Sequence, residues 1–390
     1  NDTVFDFDAE GIRSYVDGDW VKAQGTTLGA DNGIGVASIM TLLESKDIPH
    51  PPLEALFTID EETGMTGAKE LDETVLTGKI LLNLDSEEDN ELTIGCAGGL
   101  NTNTTLHYAE EPTPAGHTGL RIRVTGLKGG HSGIEIHLGR GNANKLMNRL
   151  LYGMGPAHGL RVAGVDGGGL RNAIPRESVA VAALPQSAEE DFHAAFGQRR
   201  EEILREFRSI EPDLNIAIEE APTPSKVMAM ADQERMTRAI AAMPNGVFRM
   251  SPDIPGLVET SSNLARVEVK SGEFTTLSLQ RSSVESGKAE IAQAIRAAFE
   301  LAGAEVEHSG DYPGWAPNPD SHILAQMVSL YEKLFGDKPH VAACHAGLEC
   351  GIIGRHYPGM DMISFGPTIR HPHSPDEKVH IPSVQKFWKY

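Results

Sequence analysis

Three acidic stretches, each set where a short apolar run meets polar residues, limit what this chain can become. They are Gly29-Ala30-Asp31-Asn32-Gly33, Asp60-Glu61-Glu62-Thr63-Gly64 and Asn83-Leu84-Asp85-Ser86-Glu87. A fourth signal, Pro372-His373-Ser374-Pro375, stands near the other end of the chain. Hard oxygen donors with one imidazole suit a divalent metal such as zinc or manganese. A second glutamate beside a ligand glutamate suits a general base. Together these residues point to a metal-dependent hydrolase.

The surrounding pattern is that of an α/β protein. Residues 34–43 are apolar on most sides, which predicts a buried helix. Residues 53–59 read as a strand with Asp60-Glu61-Glu62 at its carboxyl end, and residues 79–84 as another ending at Asp85. Acidic groups at the carboxyl ends of strands mark the usual ligand crevice of such sheets. From about Leu100 the period changes to two. Leu120, Ile122 and Val124 alternate, as do Val179, Val181 and Ala183, and Leu214, Ile216 and Ile218, which predicts an antiparallel sheet with one wet face. Two helical stripes intervene, Phe192, Phe196, Ile203 and Phe207, then Ile291, Ile295 and Phe299. Near Pro313-Gly314-Trp315 the pattern reverts, with a helix after Ser321 and a short strand at Met362-Ile363-Ser364-Phe365. The candidate ligands thus come from both ends of the chain. The simplest arrangement is a discontinuous mixed-sheet domain, residues 1–99 and 314–390, carrying an inserted α+β domain, residues 100–313, built on antiparallel sheet.

Composition narrows the partners. Acids outnumber bases 55 to 34 among 390 residues, for a net charge of −21. Nucleic acid and anionic membrane both attract positive charge, so neither is expected as a partner. No apolar run approaches the roughly 18 residues of a membrane span. Only Cys96, Cys344 and Cys350 occur. Such a sparse, odd set suits a reducing, cytoplasmic setting, and its spacing fits no zinc-finger pattern.

Taken singly, each motif has an ordinary alternative. Asp31 before Asn32-Gly33 also suits a turn or helix N-cap. Glu61-Glu62 and the run from Asp85 to Asp89 also suit wet surface, and His373 between prolines suits a surface histidine. Their joint occurrence in one α/β pattern favours the metal reading.

The segments Gly25-Thr26-Thr27-Leu28-Gly29-Ala30-Asp31-Asn32-Gly33-Ile34-Gly35, Gly129-Gly130-His131-Ser132-Gly133, Arg171-Asn172-Ala173-Ile174-Pro175-Arg176, His345-Ala346-Gly347-Leu348-Glu349-Cys350-Gly351 and Pro372-His373-Ser374-Pro375-Asp376-Glu377 carry a resemblance. In this order, over essentially the whole chain, the sequence resembles the zinc metallopeptidase family of carboxypeptidase G, succinyl-diaminopimelate desuccinylase and the carnosinases, and within it the dipeptidases. The resemblance implies two divalent ions, most simply zinc, with manganese or cobalt also suited. Asp31 would bridge them, Glu62 and His373 would complete one site and Asp85 would belong to the other. Glu61 would be the general base toward an activated water. His131 would stabilise the oxyanion, and Arg281 would hold the substrate's terminal carboxylate. Asn263 and Glu349 are further substrate-holding candidates. The implied activity is hydrolysis of dipeptides, including those with C-terminal histidine such as carnosine. The inserted domain would serve as a lid, the protein would be a homodimer, and His131 would act either in its own chain or across the dimer.

One part of the family pattern is missing. A His-x-Asp motif precedes the bridging aspartate in the family, whereas no histidine occurs here before His50. The chain therefore reads as a shortened version, or an incomplete record, of a longer dipeptidase. The Asp85 metal position would then be under-liganded, with weak metal binding and poor activity. Two other functions remain open from the sequence: an amidohydrolase removing acyl groups from amino acids, and a non-catalytic module with a decayed metal site. Intact Glu61 counts against the latter.

Overall fold

The computed structural model describes residues 3–390. The chain divides into two compact units, Asn1–Cys96 with Trp315–Tyr390, and Ala97–Gly314.

The first unit is built on two four-stranded sheets. In the mixed sheet His340–Cys344 runs parallel to Glu91–Cys96, and Asp361–Ser364 runs parallel to Ile80–Asn83. The pairs meet where Ser364 lies antiparallel to Thr93. Leu92, Ile94 and Ile363 are buried there, the near-continuous apolar character expected of strands covered on both faces. The second sheet is antiparallel, in the order Ser14–Asp17, Trp20–Ala23, Lys378–His380 and Ile369–Arg370. It joins the two ends of the chain, with Val21 opposite Val379. Helix His322–Phe335 starts where expected, the Ser321 hydroxyl accepting the Leu324 N–H at 3.1 Å. Cys96 and Trp315 pair through reciprocal N–H···O bonds of 2.9 Å, so the chain leaves and rejoins this unit at one place.

Two expectations fail in this unit. Residues 53–59 form no strand: they join no ladder among the described residues, and Leu53, Phe57 and Ile59 are exposed. Apolar alternation specifies a strand only where a neighbour offers free backbone groups. The helix Ala30–Glu44 forms, but only Ala30 and Gly35 along it are buried. Its inner side packs near Val21, Leu28, Ile369, Val379 and Val384, while Val36, Met40 and Leu43 face solvent. An all-round apolar pattern gives a buried helix only when neighbours stand on every side.

The second unit is an antiparallel sheet. Its order is Asn215–Glu220, His117–Thr125, Ser178–Pro185, Arg161–Gly168, Val258–Lys270, Glu273–Ser282, Gly98–His107 and Glu305–Tyr312, with Gly246–Met250 also paired to Val258–Lys270. Helices Ala143–Leu151, Glu189–Phe207, Met230–Ala242 and Glu285–Leu301 contribute to one apolar core with it. Both predicted stripes face that core: Phe192, Ile203, Ile291, Ile295 and Phe299 are fully buried. In Ser178–Pro185 the fully buried residues include Ala180, Ala182, Ala183 and Leu184, while Val179 and Val181 are half-buried, so the alternation holds over the first part of the strand only. Helix Ala143–Leu151 lies against this strand, and alanines let it approach closely.

Phe299 stacks near Phe274, ring centres 6.1 Å apart, with no exposed surface. Phe299→Ala is expected to cost about 3–5 kcal/mol, read as a lowered urea midpoint.

Candidate active site

The site in the first unit begins with Glu377, a residue 2% exposed. Its carboxylate accepts four consecutive backbone N–H groups: Leu28 at 2.7 Å, Gly29 and Ala30 at 2.8 Å, and Asp31 at 3.2 Å. Gly29, at φ +74°, lets successive amides converge on one anion. This contact fixes Asp31 at the start of helix Ala30–Glu44. It also ties that start to the segment carrying His373, because the Glu377 N–H donates to the Ser374 carbonyl at 3.0 Å. The Ser374 hydroxyl donates to the His371 carbonyl at 2.8 Å. His371 and His373 both have left-handed backbones, φ +55° and +59°. Such conformations cost about 1–3 kcal/mol each and persist only when their surroundings hold them.

The result is a tight cluster. His373 Nε2 lies 3.1 Å from Asp31 Oδ2 and 2.8 Å from Glu62 Oε1. One ligand atom from each of Asp31, Glu62 and His373 falls within 4.8 Å of the others, the one such grouping among the described residues. Glu62 comes from a turn whose corner, Asp60, also has a left-handed backbone (φ +64°) and accepts hydroxyl hydrogen bonds from Thr63 and Thr66.

Asp85 stands two residues beyond strand Ile80–Asn83 and outside that group of three. Its Oδ1 accepts the Asn32 side-chain amide at 2.8 Å. Its backbone N–H donates to Asn83 Oδ1 at 3.2 Å, an oxygen that also accepts from the buried Ser364 hydroxyl at 2.6 Å. Glu349 is 7% exposed; Thr58 donates to its Oε2 at 2.7 Å, and its Oε1 has no hydrogen-bond partner among the described residues.

The electrostatics are those of too many anions in one place. Burial, then the carboxylates of Glu62, Glu349 and Asp31, push Glu61 up to about 7. Asp85 is raised by burial and then by Asp31, Glu87 likewise, and Glu349 by burial. Burial works against the His373 imidazolium, yet Glu62, Asp31 and Glu87 outweigh it and raise its pKa above the ordinary value. These carboxylates are held together against their mutual repulsion, which a cation relieves. Tetrahedral zinc with ligands near 2.0–2.1 Å sets its donors about 3.3 Å apart, so a small outward shift of Asp31, Glu62 and His373 accommodates a divalent ion. The donor set and the orphaned Glu349 oxygen fit such a group.

The other sequence candidates lie in the second unit. His131 Nδ1 accepts the N–H groups of Gly133 at 3.2 Å and Ile134 at 3.1 Å. Arg281 is 5% exposed; it donates to the Tyr312 hydroxyl at 2.9 Å, and its Nε has no partner among the described residues. Asn263, 1% exposed, donates to the carbonyls of Arg171 at 3.1 Å and Ala173 at 2.8 Å. Its amide hydrogens thus brace the segment beside the His131 turn, where Ala173 bridges His131. The sequence reading missed Glu377 and Asn32. The signal for Glu377 was its position four residues after His373. Cys96 and Cys350 are buried thiols; burial drives Cys350 up and Cys96 up to about 12, which leaves both inert at neutral pH.

A mixed α/β unit with clustered carboxylates and imidazole, interrupted by an antiparallel α+β unit, defines a metallopeptidase architecture. Residues 2–390 match the model of peptidase family M20/M25/M40, and the chain belongs to that family. It is 43% identical over 388 residues to the cytosol non-specific dipeptidase of Escherichia coli (strain K12), spanning 100% of this chain and 80% of that relative. Its fold is similar to the crystal structure of aminoacylhistidine dipeptidase from Vibrio alginolyticus, with a TM-score of 0.95 and 48% identity over 100% of this chain and 79% of that one. Aminopeptidase PepT from Bacillus cereus, 16% identical, shares the fold at a TM-score of 0.51 over 98% of this chain and 75% of that one. No helix among the described residues is long and apolar enough to cross a membrane.

Removing the Glu377 carboxylate strips four N–H groups of their acceptor, and an unsatisfied buried donor costs about 1–3 kcal/mol. Glu377→Ala is expected to accelerate amide exchange at residues 28–31 and lower the melting temperature. Hydrogen–deuterium exchange with mass spectrometry reads the first effect and calorimetry the second.

Proposed function

We propose that the protein hydrolyses unblocked dipeptides, including Xaa-His dipeptides such as carnosine, using two divalent ions, most simply zinc. The observation that carries this reading is the meeting of His373 Nε2 with the carboxylates of Asp31 and Glu62. The substrate class is supported by similarity to two proteins named as dipeptidases. Asp31, Glu62 and His373 would hold one ion, and Asp31 and Asp85 would contribute two ligands to the other, the weaker site. Bound there, divalent ions polarise a carbonyl and bring the pKa of water toward about 7.

The remaining roles belong to side chains. Glu61 takes a proton from the attacking water and delivers it to the leaving amine; burial and then the carboxylates around it strengthen it as a base. His131 donates a hydrogen bond to the oxyanion. Arg281, buried with an unpartnered Nε, receives the terminal carboxylate. In this reading the unit Ala97–Gly314 is a substrate-holding lid, and the enzyme is a cytoplasmic homodimer.

Glu61→Gln is expected to retain the full metal content while turnover falls by about 10²–10⁴-fold. Metal analysis beside a dipeptide assay checks both. Preference for N-acetylated amino acids over free dipeptides would make the protein a deacylase. Absence of both metal and turnover would leave a non-catalytic module.

Arg281→Ala is expected to lower kcat/KM for dipeptides by about 10- to 100-fold, the scale of a lost charged hydrogen bond. C-terminally amidated dipeptides should be affected little, and equal losses on both substrates would remove Arg281 from carboxylate recognition.

A further inference from the structure

The turn Gly129-Gly130-His131-Ser132-Gly133 is held by more bonds than a glycine-rich surface loop requires. The Glu135 carboxylate accepts the backbone N–H of His131 at 2.7 Å and, through its other oxygen, Arg140 Nη2 at 2.7 Å. Arg140 Nη1 donates to the Gly129 carbonyl. On the other side the Ser132 N–H donates to the Asn172 carbonyl at 2.7 Å, and the Ile174 N–H donates to the Gly130 carbonyl at 2.8 Å. The clamp leaves no space for a side chain at Gly130. A Cβ there would stand 2.1 Å from Arg140 Nη1 and 2.5 Å from Glu135 Oε2, at φ +130°.

Inside this frame the imidazole Nε2 makes no hydrogen bond among the described residues, whereas Nδ1 is engaged. Two backbone N–H groups, from Gly133 and Ile134, point at Nδ1, so Nδ1 must present a lone pair. A proton there would meet two donors head-on. The neutral ring therefore carries its hydrogen on Nε2. We propose that Glu135 and Arg140 are positioning residues that clamp the 129–134 turn and lock His131 as an Nε2–H hydrogen-bond donor that does not act as a base. Two further features agree. Burial and the charge of Arg281 lower the His131 pKa, opposed only in part by Glu135. Asn263 braces the carbonyls of Arg171 and Ala173 in the segment paired with this turn. The catalytic consequence rests on the dipeptidase reading; the tautomer does not.

The test uses the whole 390-residue chain with ¹⁵N-labelled histidine and long-range ¹H–¹⁵N correlation at pH 7, His131 being assigned by its loss in His131→Gln. The expected pattern is an unprotonated Nδ1 and a protonated Nε2. A proton on Nδ1, alone or on both nitrogens, overturns the proposal. Glu135→Ala is expected to mix the tautomers and lower kcat for dipeptides about 10- to 100-fold, with KM changed less than about twofold. Glu135→Gln, which keeps an acceptor for the His131 N–H, should restore most of kcat. Arg140→Gln serves as a second variant should Glu135→Ala not fold, with a smaller loss in the same direction. An unchanged tautomer in folded variants overturns the positioning role. The expected tautomer pattern in a protein that turns over no dipeptide would sink the functional reading and leave the clamp standing.

Discussion

The candidate centre depends on one buried anion. Glu377 gathers the amides of residues 28–31 onto its carboxylate, and residues almost a full chain length apart become neighbours through it. Asp31 and His373 lie on the two segments so joined. An acid is well suited to this work: it accepts several N–H donors at once, and each bond to the charged form is stronger than a neutral one. A ligand pair assembled this way is set by backbone before either side chain chooses a rotamer.

Around that frame the fold keeps carboxylates where Coulomb's law resists them. Glu61, Glu62, Asp85, Glu87 and Glu349 all influence one another or Asp31. Like charges in partly buried surroundings repel by several kcal/mol at short range, and buried acids normally take up protons instead. Hydrogen bonds from Asn32 to Asp85 and from Thr58 to Glu349 offset part of this. Such arrangements persist where they have a task, and here the task fits cations. The second unit handles polarity differently. Its buried Arg281 and the His131 turn present donors rather than acceptors, which suits the binding of negative charge.

Much of this was legible in the chain. Asp85 lies two residues beyond strand Ile80–Asn83 and His373 lies beyond strand Asp361–Ser364, as the apolar runs implied, because short apolar runs locate strands; Asp31 follows no strand and stands instead at the start of helix Ala30–Glu44. The paired stripes of Phe192 and Ile291 likewise gave the core faces of two helices. Residues 53–59 misled because strand propensity says nothing about a hydrogen-bonding neighbour. In residues 178–185 the period of two identified two faces without saying which is inner, and Ala180 and Ala182 rather than Val179 and Val181 prove the buried ones. Glu377 and Glu135 were invisible as chemistry. Each acts by accepting backbone hydrogens, and a backbone hydrogen leaves no letter in the sequence.

The reciprocal pairing of Cys96 with Trp315 has a topological meaning. Cys96 and Trp315 are paired, so the chain leaves and re-enters the first unit at a single two-stranded doorway. A module joined at one doorway can be exchanged, enlarged or lost with two splices and no rewiring of the sheet that supports the ligands. Diversity among proteins of this architecture can therefore accumulate in the module while the carboxylate cluster stays as it is.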